Sequence, residues 1–365
     1  MKKARVLIVD DAMLIRRLVS DALASDTAIE VVGEAANGKV ALQKIEQLAP
    51  DLVTLDIEMP EMDGLATLRE IRKTHPRLPV IMFSALTERG AADTLEALHI
   101  GASDYVTKST STAGKGMAQQ RIQADLIPKI RSLCRVAQPA DAAPKRLAAV
   151  QPVQPVTATS GAHPERADVV AIGLSTGGPG ALGQLLPALP ADFPAPILLV
   201  QHMPNVFTRL LAERLDSHAA LAIVEATDAQ RVQPGTVYVA PGDFHLSVRR
   251  HNGQVVVALS QEPPEHSHRP SADVLFRSVA AVYGAHALGL VLTGMGEDGL
   301  SGSEQITRAG GRVIVQDEAT SVVWEMPGRV ANAGLADAVL PIGAVAPELV
   351  RRTARTPSTR GAEVG

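Results

Sequence analysis

Residues 169–182, VVAIGLSTGGPGAL, decide how this chain is read. An apolar run of strand character enters Gly173, presents Ser175 and Thr176, and closes on Gly177, Gly178 and Gly180. Such glycines either bring backbone close to a phosphate or present the serine as a nucleophile. A P-loop requires GxxxxGK[ST], and no lysine follows here. A dinucleotide fingerprint requires GxGxxG and a ribose-binding acid about 20 residues on; neither the spacing nor the acid is present. Gly173-Leu-Ser175-Thr-Gly177 does match the GxSxG nucleophile elbow, a serine held on a tight strand-to-helix turn.

A nucleophilic serine needs a base and a group that orients the base. The next strongly apolar run, APILLVQH, ends on His202, which a parallel sheet would carry to the same edge as Ser175. His75, His163 and His251 fall in polar turn-like or linker stretches, while His266 and His268 lie in PPEHSHRP, a polar loop that could line a site but follows no strand. A third buried run, ALGLVLTGMGEDGLSG, ends in a glycine-rich loop with Glu297 and Asp298. Asp298 is the preferred orienting acid, with Asp243 of VAPGDFH as its rival; a turn-capping role suits Asp243 equally well. The resulting order is Ser, His, Asp, whereas α/β-hydrolases run Ser, Asp, His.

Outward from this centre, 365 residues exceed a usual single domain. Apolar residues make up 46% and aromatics 2%, so the cores must be aliphatic. Thirty-five Lys and Arg against 39 Asp and Glu leave no basic footprint for nucleic acid. One cysteine, Cys134, cannot form an intrachain disulfide and fits a reducing compartment. No apolar run is long enough for membrane insertion, and a cytoplasmic location is expected. Two segments alternate aliphatic runs with helix-like stretches, which predicts two doubly wound parallel α/β sheets. The expected division is a first domain over residues 1–131 and a Pro/Ala-rich linker over 132–167. A second domain follows over 168–350, then a disordered tail over 351–365.

In the first domain, strand-like runs end on Asp10 and Asp11, on Asp56, on Ser84 and on Lys108. Strand C-termini of an open parallel sheet share one edge, so three carboxylates, a hydroxyl and an ammonium converge there. Crowded carboxylates call for a divalent cation, and oxygen ligands favour Mg²⁺. A carboxylate in that setting can accept a phosphoryl group.

VDD, LDIEMPEMDG, FSALT and SDYVTK together resemble the flavodoxin-like receiver domain of two-component response regulators. That resemblance implies Asp56 as phosphoacceptor, metal ligation by Asp10, Asp11, Asp56 and the Glu58 carbonyl, and Ser84, Tyr105 and Lys108 as phosphate and switch residues. Ser109 after Lys108 departs from the usual proline. IGLSTGGPGAL, LVQHMPNVFTRLLAERLD, VAPGDFHLSV, HRPSADVLFRSVA, LTGMGEDG and QDEATSVVWEMPGRVANAGLAD resemble, in order, the catalytic domain of chemotaxis protein-glutamate methylesterases, the CheB family. This implies a Ser175, His202 and Asp298 triad needing no cofactor, with Thr176, Gly177, Met295 and Gly296 at the oxyanion site. It further implies methylated chemoreceptor helices as substrate, glutamine deamidation as a second activity, and a histidine kinase as phosphodonor. Trp324-Glu325 replaces a smaller or less charged pair at the rim. Two alternatives remain: a response regulator whose second domain binds a nucleotide or protein without catalysis, and a small-molecule esterase of the α/β-hydrolase type.

Overall fold

The computed structural model describes residues 3–85, 87–108, 115–136 and 166–354. The chain divides into two compact units, one before and one after the region around residue 162.

In the first unit the strands are β1 (Ala4–Val9), β2 (Ile29–Ala35), β3 (Leu52–Asp56), β4 (Val80–Ala85) and β5 (Asp104–Lys108). They alternate with α1 (Met13–Leu23), α2 (Gly38–Leu48), α3 (Gly64–Thr74), α4 (Glu88–Ile100) and α5 (Lys115–Leu133). All pairings are parallel, in the order β2-β1-β3-β4-β5. Strand order reverses between β1 and β3, the place where such sheets open a crevice at their C-terminal edge. Asp10 and Asp56 lie at that point. Leu52, Val53, Thr54 and Leu55 are buried on both sides, as a central strand under helices on two faces must be.

The second unit carries β6 (Val169–Leu174), α6 (Gly178–Leu185), β7 (Ile197–Gln201), α7 (Asn205–Asp216), β8 (Ala222–Glu225) and β9 (Thr236–Val239). A hairpin of β10 (His245–His251) and β11 (Gln254–Ser260) follows, then α8 (Ala272–Tyr283) and β12 (Ala287–Val291). The unit closes with α9 (Leu300–Arg308), β13 (Arg312–Gln316), α10 (Glu325–Asn332), β14 (Ala338–Leu340) and α11 (Ile342–Thr353). Seven parallel strands run β14-β13-β12-β6-β7-β9-β8. The chain builds outward from β6 to one side, returns through the antiparallel hairpin and α8, and builds outward from β12 to the other. The reversal therefore falls between β6 and β12.

Helix α8 lies close against β6 and α9 because glycines leave it room. An added Cβ at Gly173 would come 2.6 Å from the Ala272 Cβ, and one at Gly302 would come 2.5 Å from the Phe276 Cβ. Gly289 of β12 makes room for α9 instead, a Cβ there coming 2.9 Å from the Ile306 Cδ1. Phe276, Leu275 and Val279 are fully buried in a core shared with β6, β12 and the hairpin. This contact brings the N-terminus of α8 to the sheet rim.

Both expected linker boundaries move inward. Helix α5 runs through Leu133, and Leu133, Cys134 and Val136 pack on the first core, so residues 132–136 belong to that unit. At the other end the Ala167 N–H donates to the Arg352 carbonyl. The expected tail is also shortened. Helix α11 buries Val345, Leu349 and Thr353 at helical spacing, and Arg352 is buried beside them. The paired arginines hide this stripe in a reading by composition. Residues 137–165, Ser109 and residues 355–365, where the remaining linker and tail expectations fall, lie outside the described residues. No described helix is long and apolar enough to cross a membrane.

Truncating Phe276 to alanine empties a fully buried site in the core that α8 shares with β6, β12 and the hairpin. Phe276→Ala should cost about 3–5 kcal/mol in urea unfolding of the second unit. A loss under about 1 kcal/mol would show that the α8 contact is not what seats the helix.

Candidate active site and acidic pocket

Ser175 follows β6 directly, at the reversal of strand order. Its N–H donates to the Thr293 carbonyl beyond β12 (3.0 Å), and its carbonyl accepts from Gln201 Nε2 (3.0 Å) and the Gly178 N–H (2.8 Å). The residue is thus tied to both neighbouring strands while its side chain stays partly exposed. The glycines around it serve close packing of protein on protein. A Cβ on Gly178 would strike Gln201 Oε1 at 1.9 Å, one on Gly177 would meet Val322 at 2.6 Å, and one on Gly294 would sit 3.1 Å from Ser175 itself. Their space holds protein atoms, not room for a phosphate. Gly177 also needs its freedom of backbone, at φ 80°.

His202 ends the neighbouring strand. Register pairs Leu174 with Gln201, and the His202 N–H donates to the Leu174 carbonyl. The imidazole side chain is 5% exposed, and its Nε2 lies 2.7 Å from Asp298 Oδ2. Its Nδ1 is buried and has no hydrogen-bond partner among the described residues.

Asp298 is 1% exposed and saturated with donors. Oδ1 accepts from Ser271 Oγ (2.8 Å) and the N–H groups of Asp273 (2.9 Å) and Gly299 (3.0 Å). Oδ2 accepts from the Ala272 N–H (2.7 Å) and from His202. The carboxylate therefore sits on the first N–H groups of α8, the positive end of that helix. Burial pushes its pKa up, but the His202 hydrogen bond and charge and the Asp273 and Ala272 N–H groups outweigh it, holding the carboxyl well below its usual range. With Asp298 accepting at Nε2, the neutral form of the imidazole carries its proton there and its lone pair on Nδ1.

The rival acid takes no part in this cluster. Asp243 is exposed on a turn at φ 66°. The 266–273 stretch adds two residues: Ser271 was not singled out by the sequence, and His268 was named only as part of a polar loop that could line a site. Ser271 supplies a hydroxyl to Asp298, and His268 stacks on His202, ring centroids 3.9 Å apart with 9° between planes. Only their position just ahead of an apolar helix could have pointed to them. His266, Asp273 and Asp298 lie near enough together to suggest a metal site, but Asp298 already accepts five hydrogen bonds and His266 Nε2 is paired with Asp273 at 3.0 Å.

The oxyanion expectation needs correction at one donor. The Gly296 N–H donates to Glu325 Oε2 at 2.9 Å and is not open to a ligand in this state. Glu325 opens α10, which Met326 N–H and Val323 carbonyl tie to Gly294, and this delivers its carboxylate to the loop. The Thr176 carbonyl accepts from Thr293 Oγ1 at 2.9 Å, fixing the turn that precedes α6.

In the first unit Asp10 and Asp56 are each 3% exposed, and Asp11 is exposed beside them. Lys108 Nζ stands 2.9 Å from Asp10 Oδ2 and 2.7 Å from Asp56 Oδ1. Burial raises the Asp56 pKa, the Lys108 bond lowers it and the Asp10 charge raises it again, leaving it pushed up to about 6. One ammonium against three carboxylates, with oxygens all within 4.8 Å, suits a divalent cation. The Glu58 side chain is exposed. Ser84 is buried with its hydroxyl donating to the Gly90 carbonyl at 2.9 Å. Tyr105 is buried, its phenol pKa well raised by burial and by nearby Asp104 and Asp125. Lys129 Nζ lies 5.4 Å from its ring centroid.

Fold and site define a two-domain α/β protein that joins a serine–histidine–aspartate cluster to a separate carboxylate pocket. The family description CheB methylesterase matches residues 170–349, and response regulator receiver domain matches residues 6–114. A Trichodesmium erythraeum protein named protein-glutamate methylesterase/protein-glutamine glutaminase is 50% identical over 353 residues, spanning 96% of this chain and 99% of its own. A Nocardioides protein of the same name is 51% identical over 96% of both chains. The crystal structure of the Thermotoga maritima CheB methylesterase catalytic domain is 44% identical with a TM-score of 0.50, covering 50% of this chain and 97% of that one. This chain belongs to the CheB methylesterase family, with a response-regulator receiver domain ahead of the esterase domain.

Two outcomes follow from the geometry. With Asp56 as a Mg²⁺ ligand, binding would require its ionised form, and the affinity by calorimetry should fall roughly tenfold per pH unit below about 6. A flat profile from pH 7 to 5 would show that Asp56 is not a ligand. Ser271→Ala removes one of five bonds to Asp298 and should lower kcat about tenfold with KM unchanged; unchanged kcat would mean the backbone donors suffice.

Proposed function

We propose that Ser175, His202 and Asp298 hydrolyse glutamyl γ-methyl esters on a protein substrate by an acyl-enzyme route. The observation that carries this is the buried lone pair on His202 Nδ1. That nitrogen has no hydrogen-bond partner among the described residues, on a ring anchored at Nε2, at the strand end adjoining Ser175. A base held in one tautomer beside a partly exposed hydroxyl is arranged for proton abstraction.

His202 Nδ1 takes the Ser175 proton as Oγ attacks the ester carbonyl. Asp298 stabilises the imidazolium, and N–H groups of Thr176, Gly177 and Met295 serve the oxyanion. Gly296 would join them only after releasing Glu325. The proton passes from Nδ1 to the leaving methoxide, giving methanol. Water then attacks the acyl-enzyme, its proton going to Nδ1, and a glutamate carboxylate is released as Ser175 regains its proton. A glutamine side chain fits the same steps with ammonia as leaving group, which makes protein-glutamine glutaminase the companion activity. The family supports methylated chemoreceptor helices as substrate.

In the receiver, Asp56 is the phosphoacceptor and a histidine kinase the phosphodonor. Asp10, Asp11, Asp56 and the Glu58 carbonyl would hold Mg²⁺, whose charge offsets that of the incoming phosphoryl group. Lys108 pairs with the phosphate oxygens, while Ser84 and Tyr105 register the change. Phosphorylation regulates the esterase.

The test is methanol release from a methylated receptor, with and without a small-molecule phosphodonor and Mg²⁺. Ser175→Ala should lower the rate by about 10⁴-fold or more, and Asp56→Asn should abolish the response to the phosphodonor. Normal methanol release by Ser175→Ala would exclude the mechanism.

A further inference from the structure

The 266–273 stretch holds both the base and its orienting acid, and its backbone is unusual. His266 (φ 50°) and Ser267 (φ 66°) both occupy the left-handed region, which favours glycine. Reciprocal bonds between Glu265 and His268 close them into a two-residue turn, the Glu265 N–H donating to the His268 carbonyl at 3.1 Å and the His268 N–H returning at 2.8 Å. The turn is pinned from outside as well. Arg277 forks onto the Glu265 carboxylate, and His266 Nε2 bonds Asp273 Oδ2 at 3.0 Å. Two non-glycine residues persist in such conformations only where the surroundings over-determine them.

What this turn presents is the His268 ring, lying flat on His202 at 3.9 Å and 9°. His202 needs that face. Its ring is fixed by a single hydrogen bond at Nε2, and nothing bonds Nδ1. Rotation of an imidazole about χ2 is soft, so one bond leaves the ring free to tilt about its anchor. A second ring packed parallel blocks motion out of the plane. The aromatic face also favours the imidazolium that forms when His202 takes a proton.

We propose that His268 is a positioning residue of the Ser175 centre, holding the His202 ring in the plane where Nδ1 meets the serine hydroxyl. This rests on the proposed esterase mechanism for its kinetic consequence, though not for its structural one. In the full-length protein, His268→Ala should lower kcat for methanol release about tenfold or more, with KM within about twofold. His268→Phe keeps a flat ring without titratable nitrogens and should recover the rate to within about threefold of wild type. Imidazole ¹H–¹⁵N spectra give a readout independent of turnover: the Nε2–H signal shared with Asp298 should broaden in His268→Ala and stay sharp in His268→Phe. Wild-type kcat in His268→Ala, or a folded His268→Phe as slow as the alanine variant, overturns the proposal. If wild type releases no methanol, the esterase reading fails while the spectra still decide the role of His268.

Discussion

The carboxylate of Asp298 at the N-terminus of α8 is the contact on which the catalytic unit turns. It joins four parts of the chain: the glycine loop after β12, the start of α8, the Ser271 hydroxyl and the imidazole that ends β7. A buried anion needs such a set of donors, because an uncompensated one would be protonated or expelled. Satisfying it fixes the helix, and the fixed helix then leaves Oδ2 aimed at His202. Stability and chemistry are served by the same hydrogen bonds.

That arrangement depends on space. Helix α8 packs closely on β6 and α9 because Gly173 and Gly302 lack side chains where Ala272 and Phe276 sit. Gly177, Gly178 and Gly294 do the same around Ser175. The glycines that first suggested a phosphate cradle instead allow three strands, a helix and a loop to converge on one serine. Close packing of that kind is stiff, which suits a centre whose parts must hold their alignment.

The receiver solves a different electrostatic problem with the same topology. Asp10 and Asp56 are buried against one ammonium, and burial, helped by the Asp10 charge, outweighs Lys108 and keeps Asp56 easier to protonate than a free carboxyl. Below pH 6 and above the ordinary value of 3.8 the folded state binds more protons than the unfolded one, so stability falls as pH rises through that window. In the catalytic unit the balance is reversed: donors outnumber the charge, and Asp298 stays ionised.

Much of this was legible in the chain itself. Apolar runs ending in Asp10, Asp56, Ser175 and His202 placed those residues at strand C-termini, because a buried parallel strand leaves polar groups only at its ends. The choice of Asp298 over Asp243 rested on its glycine-rich loop, on the turn-capping reading of Asp243 and on the family resemblance, and the fold separates the two by burial. The tertiary structure alone decided the rest. Nothing local marks Ser271 and His268 as partners of residues far along the chain, and nothing in composition shows that Glu325 covers the Gly296 N–H or that Thr353 is buried. Periodicity and strand ends are properties of a segment, whereas a hydrogen bond across a sheet rim exists only once the segments that share it have packed.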